Sequence, residues 1–588
     1  MPSFVDTASR PRFPALLFVF LMLAAFALPV HAEEEEGADD GTAAMERDPE
    51  LSKEHFEDAQ VAREEQRWGD AATSFWKALE SDLLNYRAHV GYIQCALAAG
   101  DDRDEIIGDY DRFLEEFPKQ LPLKLHRLRL DDAEARLPKL EKLAKDKALA
   151  KQADLHVEHG RTLLALGQPK PAIDALTKAL ALKSGDRPDV LLLMAEAEHA
   201  AGKTAEATAR LDAAVKADAE AFEARLVLAR LQLGAGEFET AAANATTVVE
   251  QRPSYIAAFL LKAEALAGVG TSESMDEARK TLTNAYRANN EIDDVVLALA
   301  DLTAADETEA SFKQAIKYYD EVLERDEENF RALYGKAWVF ERQEQWEQAT
   351  ELYREVMAVR PSMADAVNSV GYCLFKQGRV SEAQVQFKRA LDMNAEYVTA
   401  MLNLGATLDA QAKYGDAIKL YEKVLKMDGQ DENIRALINC AFDYEAQGVF
   451  PKAQKLLIKA HEILPDDPNI VVWIGDNFYF QKKWDDAMKW YRQAVQMDEK
   501  SFFGYRGLGL ALSQKKKWSD AIAAFEEARK IKKDDLDLIV LLGDIYYTHL
   551  KDLKTALERY QEFVQRGGND PDVNDAIIEI KKQLEKKR

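Results

Sequence analysis

Residues 330–363 read FRALYGKAWVFERQEQWEQATELYREVMAVRPSM, two amphipathic segments joined by a polar turn. In the next copy of this pattern, apolar or small residues fall at Val367, Val370, Gly371 and Leu374. This is the i, i+3, i+4, i+7 spacing of one helix face, and it excludes the alternation of a strand. Each copy is therefore predicted to be a helix, a turn and a second helix.

The pattern recurs every 34 residues with one interval longer by two, which marks a repeat architecture. A small residue recurs in the first helix at Ala337, Gly371, Gly405, Ala441, Gly475, Gly509 and Gly543. An Ala follows at Ala349, Ala383, Ala417, Ala453, Ala487, Ala521 and, one residue late, Ala556. Bulky apolar residues follow at Tyr353, Phe387, Tyr421, Leu457, Tyr491, Phe525 and Tyr560. Small residues are expected where two helices cross, because they let the backbones approach while bulky neighbours fill the gaps.

The turn between the two helices is marked by glycine and closed by an aromatic residue. The glycines are Gly378, Gly415 and Gly448, and the aromatic residues are Trp346, Tyr414, Phe450, Trp484 and Trp518. Pro361 and Pro465 close units where a helix must stop.

The same spacing predicts a division of the chain into segments. Residues 330–571 form a regular array, and residues 153–329 continue it with loops lengthened near Thr271 and Asp306. Residues 51–152 keep helical character but lose most of the pattern, so we interpret them as degenerate repeats. After the Gly567–Pro571 break, residues 572–588 form a capping helix with Val573, Ile577, Ile580 and Leu584 on its apolar face.

This pattern resembles the tetratricopeptide-repeat family, whose motif has the same period. In 330–363 the matching residues are Leu333, Lys336, Ala337, Phe340, Ala349, Tyr353, Val356 and Pro361, with Lys336 where the family prefers Leu. The resemblance implies an all-α fold, a right-handed superhelical solenoid of stacked helix-turn-helix units. It also implies a concave groove, lined by the first helices, that binds segments of partner proteins.

Groove-facing positions in this family are typically the second, fifth, ninth, twelfth and thirteenth of each repeat. The resemblance assigns candidate binding roles to Tyr334, Trp338, Tyr372, Phe375, Phe442, Asp476, Tyr479, Phe480, Phe503 and Tyr547. Aromatic residues on an accessible wall would anchor an extended or helical segment. The alternative, that some of them pack against the next repeat, is left open.

Family members that bind acidic chaperone tails carry a cationic clamp in the groove. The fifth positions here are Tyr334, Asn368, Leu402, Ile438 and Val472, so no carboxylate clamp and no chaperone-tail partner are implied.

The N-terminus predicts export. Residues 1–32 contain Arg10 and Arg12, an apolar stretch and Val30-His31-Ala32, which indicate a signal peptide cleaved after Ala32. An uncleaved membrane anchor is the alternative, and either outcome places the rest of the chain outside. Residues 33–50 form an acidic linker that is expected to be disordered. We therefore expect the mature form to lack a membrane span and to lie in the periplasm or cell envelope.

Charge argues against nucleic acid as a partner. The net charge is −26, and it becomes about −27 when residues 1–32, which contain two Arg and one Asp, are removed. Such a surplus of negative charge repels phosphate.

Cys95, Cys373 and Cys440 are odd in number and fall on separate repeats, so we predict three free, buried thiols.

The absence of catalytic motifs from the sequence predicts a non-enzyme without cofactors. No nucleophile elbow, phosphate-binding loop or dinucleotide motif is present. His156 and His159 lack the i, i+4 spacing of zinc-protease ligands, and packing is the favoured interpretation over a metal site.

The leading hypothesis is a non-catalytic adaptor for an envelope assembly such as a secretion, polysaccharide-export or motility machine. A regulatory subunit of an envelope enzyme and a structural component of the cell wall or outer membrane are the alternatives. The identity of the partner does not follow from a shared scaffold.

Overall fold

The computed structural model describes residues 48–65, 67–82, 86–118, 120–182, 188–217, 222–427 and 429–586. The predicted signal peptide and residues 33–47 of the predicted linker lie outside these ranges. The described residues contain thirty-one α-helices and no strand, which confirms the all-α helical solenoid. The chain divides into two compact units, residues 8–339 and 340–588, called here the N-terminal and C-terminal units.

The first sixteen helices and most of the seventeenth belong to the N-terminal unit. They are α1 (Pro49–Glu64), α2 (Trp68–Ser81), α3 (Tyr86–Ala99), α4 (Arg103–Glu116), α5 (Leu121–Arg129), α6 (Ala133–Leu143), α7 (Ala153–Ala165), α8 (Pro169–Leu180), α9 (Pro188–Ala200), α10 (Thr204–Ala217), α11 (Phe222–Gly234), α12 (Phe238–Gln251), α13 (Ile256–Val269), α14 (Ser272–Ala288), α15 (Asp293–Ala304), α16 (Glu309–Arg325) and α17 (Phe330–Arg342).

The remaining helices belong to the C-terminal unit. They are α18 (Trp346–Val359), α19 (Ala364–Lys376), α20 (Val380–Met393), α21 (Val398–Ala410), α22 (Tyr414–Val424), α23 (Ile434–Ala446), α24 (Phe450–Ile463), α25 (Pro468–Phe480), α26 (Trp484–Met497), α27 (Phe502–Gln514), α28 (Trp518–Ile531), α29 (Leu536–Asp544), α30 (Leu553–Gln565) and α31 (Pro571–Lys586).

The repeated small residue makes room for the bulky residue of the second helix. A Cβ atom added at Gly371 would lie 2.7 Å from the Phe387 ring, and one at Gly509 would lie 2.5 Å from the Phe525 ring. Real Cβ atoms do not approach so closely, so a side chain at either glycine would force the ring to shift. All seven predicted alanines and all seven bulky residues are at most 2% exposed.

The turn between the helices of a unit has a left-handed residue at one fixed place, whether or not it is glycine. Gly378 and Gly448 have φ of 76° and 75°, but Ala412 and Lys482 adopt 57° and 60° at the equivalent place. Gly415, predicted as a turn residue, instead lies in α22. The prediction was wrong there because it took glycine as the marker of the turn. The geometry of the repeat imposes the same left-handed conformation on residues other than glycine.

The extra residues near Thr271 and Asp306 lengthen helices and not the predicted loops. Only residues 270 and 271 separate α13 from α14, and four residues separate α15 from α16. Both α14 and α16 run for 17 residues, against 14 for α18. Thr271 and Thr308 cap these helices with their side chains, so each helix begins earlier than in the regular repeats.

Two irregularities of the period have structural causes. The interval that is longer by two residues includes the connection between α22 and α23. Helix α22 ends at Val424, and α23 begins at Ile434. The late Ala556 follows a π-helical segment, Ile545–Leu550, that continues α29. Such a segment accommodates one extra residue within a helix.

The segment predicted as degenerate begins with repeat-like packing. Phe75 of α2 lies against the backbone at Gly91, where a Cβ atom would approach its ring to 2.4 Å. Residues 49 and 50, assigned to the linker from sequence, belong to α1, because Asp48 caps the helix and Pro49 suits its first turn.

The last helix, α31, packs its apolar face against α30. Val573 and Ile580 are buried and share a core with Tyr560 and Phe563 of α30.

The three cysteines are free and buried, which confirms that prediction. Burial raises the pKa of Cys95 to about 11 and that of Cys440 to about 12, so these thiols stay protonated near neutral pH.

Candidate binding surface on the first helices

Two of the candidate binding residues lie in the N-terminal unit, both on α17. Trp338 is 8% exposed and packs in a core with Val296 and Phe312. It therefore takes the packing role that the sequence left open. Tyr334 is half-buried.

The other eight candidates lie in the C-terminal unit on the first helices of their repeats, Tyr547 in the π-helical end of one. Phe480 is 55% exposed and Phe503 is 63% exposed, far more than a core side chain. The half-buried ones are Tyr372, Phe375, Phe442, Asp476, Tyr479 and Tyr547. Phe480 and Phe503 are thus the most accessible aromatic side chains of the set.

Ring contacts join some of these residues into groups. Tyr479 packs edge-on against Trp484 with centroids 4.8 Å apart, and Phe480 stacks on Phe450 at 6.1 Å. The Tyr479 and Phe480 rings are themselves 6.1 Å apart. These four side chains form one aromatic group at the C-terminal end of α25, which we call the α25 aromatic group.

A second aromatic group surrounds a lysine. The rings of Trp346 and Tyr372 lie 6.1 Å apart, and the Lys376 ammonium lies 5.5 Å and 5.6 Å from their centroids. Both distances suit a cation–π contact. Phe442 contacts Trp473 edge-on at 5.2 Å, and Phe503 contacts Phe502 at 5.2 Å.

Asp476 is held by a hydrogen bond from the second helix of its own repeat. The Tyr491 hydroxyl donates to Oδ1 of Asp476 at 2.6 Å. Burial raises the pKa of Asp476 to about 6, although this hydrogen bond and the charge of Arg506 both oppose the rise.

Three further carboxyl groups on the first helices were not selected from the sequence. Asp409 on α21 and Asp443 on α23 act electrostatically on each other, and Glu445 on α23 accepts a hydrogen bond from Asn477 Nδ2 at 2.7 Å. Burial, and then the Asp409 charge, raise the pKa of Asp443 to about 8. Burial also raises the pKa of Glu445 to about 7.

The histidine pair does not converge on a metal site. His156 Nε2 lies 2.9 Å from the Ala150 carbonyl oxygen, so this nitrogen carries the proton and donates a hydrogen bond. Within the described ranges, no three His, Cys, Asp or Glu side chains are placed to hold a metal ion.

Comparison with protein families agrees with this geometry. Tetratricopeptide-repeat patterns match residues 56–120, 192–256, 309–358, 337–384, 374–439 and 506–571, more than half of the chain. The chain belongs to the tetratricopeptide-repeat family. Membership supports a scaffold for protein–protein interaction as the class of function. Across the described part of the chain, no helix is long and apolar enough to cross a membrane.

Known proteins resemble parts of this tetratricopeptide-repeat chain at low identity. Protein O-mannosyl-transferase TMTC3 of Homo sapiens is 24% identical over 223 residues, 37% of this chain and 24% of that protein. Mitochondrial import receptor subunit TOM70 of Homo sapiens is 23% identical over 267 residues, 43% of this chain and 42% of that protein. This chain thus spans less than half the length of either relative.

A solved structure with the same kind of repeats aligns over a longer range. The chain from the crystal structure of the APC/C hetero-tetramer Cut9–Hcn1 covers 90% of this chain and 96% of its own length, with 16% identity and a TM-score of 0.47.

Proposed function

We propose that this tetratricopeptide-repeat protein is exported and acts without catalysis as a scaffold in the periplasm or cell envelope. It holds segments of partner proteins against the first helices of its repeats and so serves the assembly of an envelope complex for secretion, polysaccharide export or motility. The signal-peptide pattern of residues 1–32 supports export.

The exposure of Phe480 and Phe503 is the observation that carries the binding role. Single exposed aromatic side chains are ordinary, but these two accompany half-buried aromatic residues on the same set of first helices. Large rigid rings contribute most of the affinity in protein interfaces.

The chemistry of the described residues supports a role without catalysis. Burial raises the pKa of each cysteine thiol, so a thiolate nucleophile is disfavoured near neutral pH. The relative TMTC3 is named a mannosyl-transferase, but this chain aligns with only 24% of its length, which leaves that activity with that protein.

The export proposal is tested by N-terminal sequencing of the protein recovered from its native cell fractions. We expect recovery in the envelope or periplasmic fraction with Glu33 as the first residue. Recovery in the cytosol with residues 1–32 intact would overturn it.

The scaffold proposal is tested by crosslinking in intact cells, affinity purification and mass spectrometry. The Phe480→Ala/Phe503→Ala variant should lose partners that the natural chain retains. Val385→Ala is the matched control, because Val385 is 61% exposed on a second helix. Equal recovery from all three proteins would contradict the assigned surface, and co-purification with one envelope enzyme would favour the regulatory-subunit alternative.

A further inference from the structure

Lysines are concentrated in the turns of the last three repeats. The connections between the first and second helices of these repeats are residues 481–483, 515–517 and 551–552. They contain a single acidic residue, Asp552, and six exposed lysines: Lys482, Lys483, Lys515, Lys516, Lys517 and Lys551. The three turns before them contain only two basic residues between them. Positive charge is therefore gathered in one part of the C-terminal unit.

Side-chain contacts place the three connections next to one another along one edge of this unit. Nζ of Lys515 lies 2.9 Å from Oδ2 of Asp485, which stands in the first turn of α26 just after residues 481–483. The Trp518 ring, at the start of α28, stacks on the His549 ring at 3.8 Å, just before residues 551–552. We call residues 481–483, 515–517 and 551–552 the lysine edge.

One lysine of each connection has an unfavourable backbone conformation. Lys482, Lys516 and Lys551 have φ of 60°, 59° and 58°, in the left-handed region that Gly378 and Gly448 occupy in earlier turns. Across the described part of the chain, these three lysine side chains make no hydrogen bond, ion pair or ring contact that would offset the cost. Strained backbone positions cluster at functional sites, and these ammonium groups are available to an external partner.

The acidic residues nearest the lysine edge have interactions of their own. Asp485 pairs with Lys515, and Oδ1 of Asp486 lies 3.4 Å from Nζ of Lys489 within α26. Asp552 caps α30 with its side chain. An excess of positive charge therefore remains on the lysine edge.

Aromatic and apolar side chains border the lysine edge. Phe480 precedes the first connection and is 55% exposed, and Leu550 precedes the third and is 41% exposed. Trp484 and Trp518 follow the first two connections and are half-buried. Lysine together with Trp, Phe and Leu is the composition of protein surfaces that lie on anionic membranes. In such surfaces the aromatic rings sit at the level of the lipid headgroups.

The net negative charge of the chain is distributed unevenly and does not prevent such an interaction. Residues 340–588 contain 37 Lys and Arg against 40 Asp and Glu, whereas residues 1–339 contain 40 against 63. The surplus that repels phosphate thus lies mainly before residue 340. At physiological ionic strength, screening weakens repulsion beyond about 8 Å, so the lysines nearest a surface determine the local interaction.

We propose that the lysine edge docks the C-terminal unit on an anionic lipid surface, with its ammonium groups on the lipid phosphates. An acidic segment of a partner protein fits less well, because all six cations are lysine. Arginine is preferred where a carboxylate is held in a fixed, bidentate geometry. The lysine edge lies between helices and outside the first-helix surface assigned to partner segments. This docking is therefore a second interaction, which depends neither on export nor on partner capture.

Co-sedimentation of the purified full chain with lipid vesicles tests the proposal at physiological ionic strength. The vesicles contain phosphatidylcholine and phosphatidylglycerol in a three-to-one ratio, and vesicles of phosphatidylcholine alone are the neutral reference. The natural chain should prefer the anionic vesicles. The Lys482→Gln/Lys516→Gln/Lys551→Gln variant should bind them at least about tenfold more weakly, because each lysine near an anionic surface adds to the affinity.

The matched control is Lys426→Gln/Lys500→Gln/Lys533→Gln. It removes as many charges from exposed lysines of the same unit, in connections between repeats and thus at the opposite ends of the helices. This control should bind nearly as the natural chain does. Glutamine keeps a side chain at the left-handed positions, so the lysine-edge variant should be folded, and thermal unfolding of all three proteins checks this.

Three outcomes would overturn the proposal. Equal binding of the natural chain and the lysine-edge variant would show that the lysine edge does not contact lipid. Equal weakening of both variants would show that net charge alone explains binding. Tighter binding of soluble polyglutamate than of vesicles, at the same concentration of negative charge, would favour an acidic protein segment instead. Residues 1–32, Phe480 and Phe503 are unchanged in every variant, so the export and partner-capture tests stay independent of this result.

Discussion

The hydroxyl group of Tyr491 donates a hydrogen bond to Asp476 at 2.6 Å, while the Tyr491 ring fills the space left by two glycines. A Cβ atom at Gly475 would lie 2.7 Å from the ring, and one at Gly507 would lie 2.4 Å from it. The hydroxyl and the ring thus fasten α26 to the first helix of its own repeat and to that of the next. The same hydroxyl-to-carboxylate bond joins Tyr560 to Asp544 at 2.7 Å.

Gly475→Ala should therefore lower the free energy of unfolding. The added methyl group meets the Tyr491 ring, and overpacking of this kind costs about 1–3 kcal/mol. Gly108→Ala is the control, since Gly108 lies within α4 with no atom near its missing Cβ. It should raise stability by about 0.5–1 kcal/mol, because alanine favours a helix. Urea unfolding followed by circular dichroism measures both, and equal shifts would contradict the packing.

Lys482→Gly should stabilise the C-terminal unit. Lys482 is held at φ of 60°, which disfavours a side chain but not glycine, and relief of that strain is worth about 1 kcal/mol. The reverse change, Gly448→Ala at φ of 75°, should destabilise by a similar amount. Opposite shifts of the thermal midpoint are expected, and shifts in the same direction would show that the turn is not the cause.

Asp443→Asn should change how stability depends on pH. Burial and Asp409 raise the pKa of Asp443 to about 8, above its ordinary value in an unfolded chain, so the folded state binds more protons between those values. Natural-chain stability should thus fall as pH rises from about 4 to about 8. The variant should be the more stable protein near pH 8, and the difference should shrink towards pH 4. Thermal midpoints across this range measure it, with exposed Glu396→Gln as control, and parallel curves would contradict the buried pair.

Aromatic residues at exposed and buried positions should respond differently to truncation. Phe480→Ala should leave the thermal midpoint nearly unchanged, because that ring is 55% exposed. Phe525→Ala should cost about 3–5 kcal/mol, because that ring is fully buried against Gly509. Trp338→Ala should also destabilise, as Trp338 is 8% exposed. A large loss for Phe480→Ala would place it in the core instead of on the binding surface.

Deletion of residues 572–588 should expose the end of the array. Tyr560 and Phe563 would lose their contacts with Val573 and Ile580, leaving apolar surface open to a second molecule. Sedimentation should show aggregation, or unfolding should occur at a lower temperature. A monomer of unchanged thermal midpoint would show that α31 is not a cap.

The repeat pattern predicted most of the fold because each position has one physical task. A small residue opposite a ring and an alanine between the helices identify the unit. The Phe75 ring lies against Gly91 in the same way within the segment predicted as degenerate. Glycine was a poorer guide, since Ala412 and Lys482 adopt the same left-handed turn through the packing of the helices on either side.

The Asp409–Asp443 pair escaped prediction for a different reason. Single acidic residues on helices usually face water, and nothing local distinguishes Asp443 from them. Its partner Asp409 is 34 residues away on another helix, and the two occupy different places in their repeats. The sequence also did not show which candidate side chains are exposed. Trp338 and Phe480 are both large aromatic residues of first helices, yet Trp338 is buried and Phe480 is exposed.

The placement of Tyr491 between two glycines has a consequence for folding kinetics. Gly475 precedes it by 16 residues and Gly507 follows it by 16, so its ring reaches only the adjoining helices. Contacts between residues so close in the chain cost little loop-closure entropy. Any one helix pair should therefore form rapidly, and the folded array should extend from it in both directions. The terminal helix pairs, with a neighbour on one side only, should be the first to open under mechanical tension.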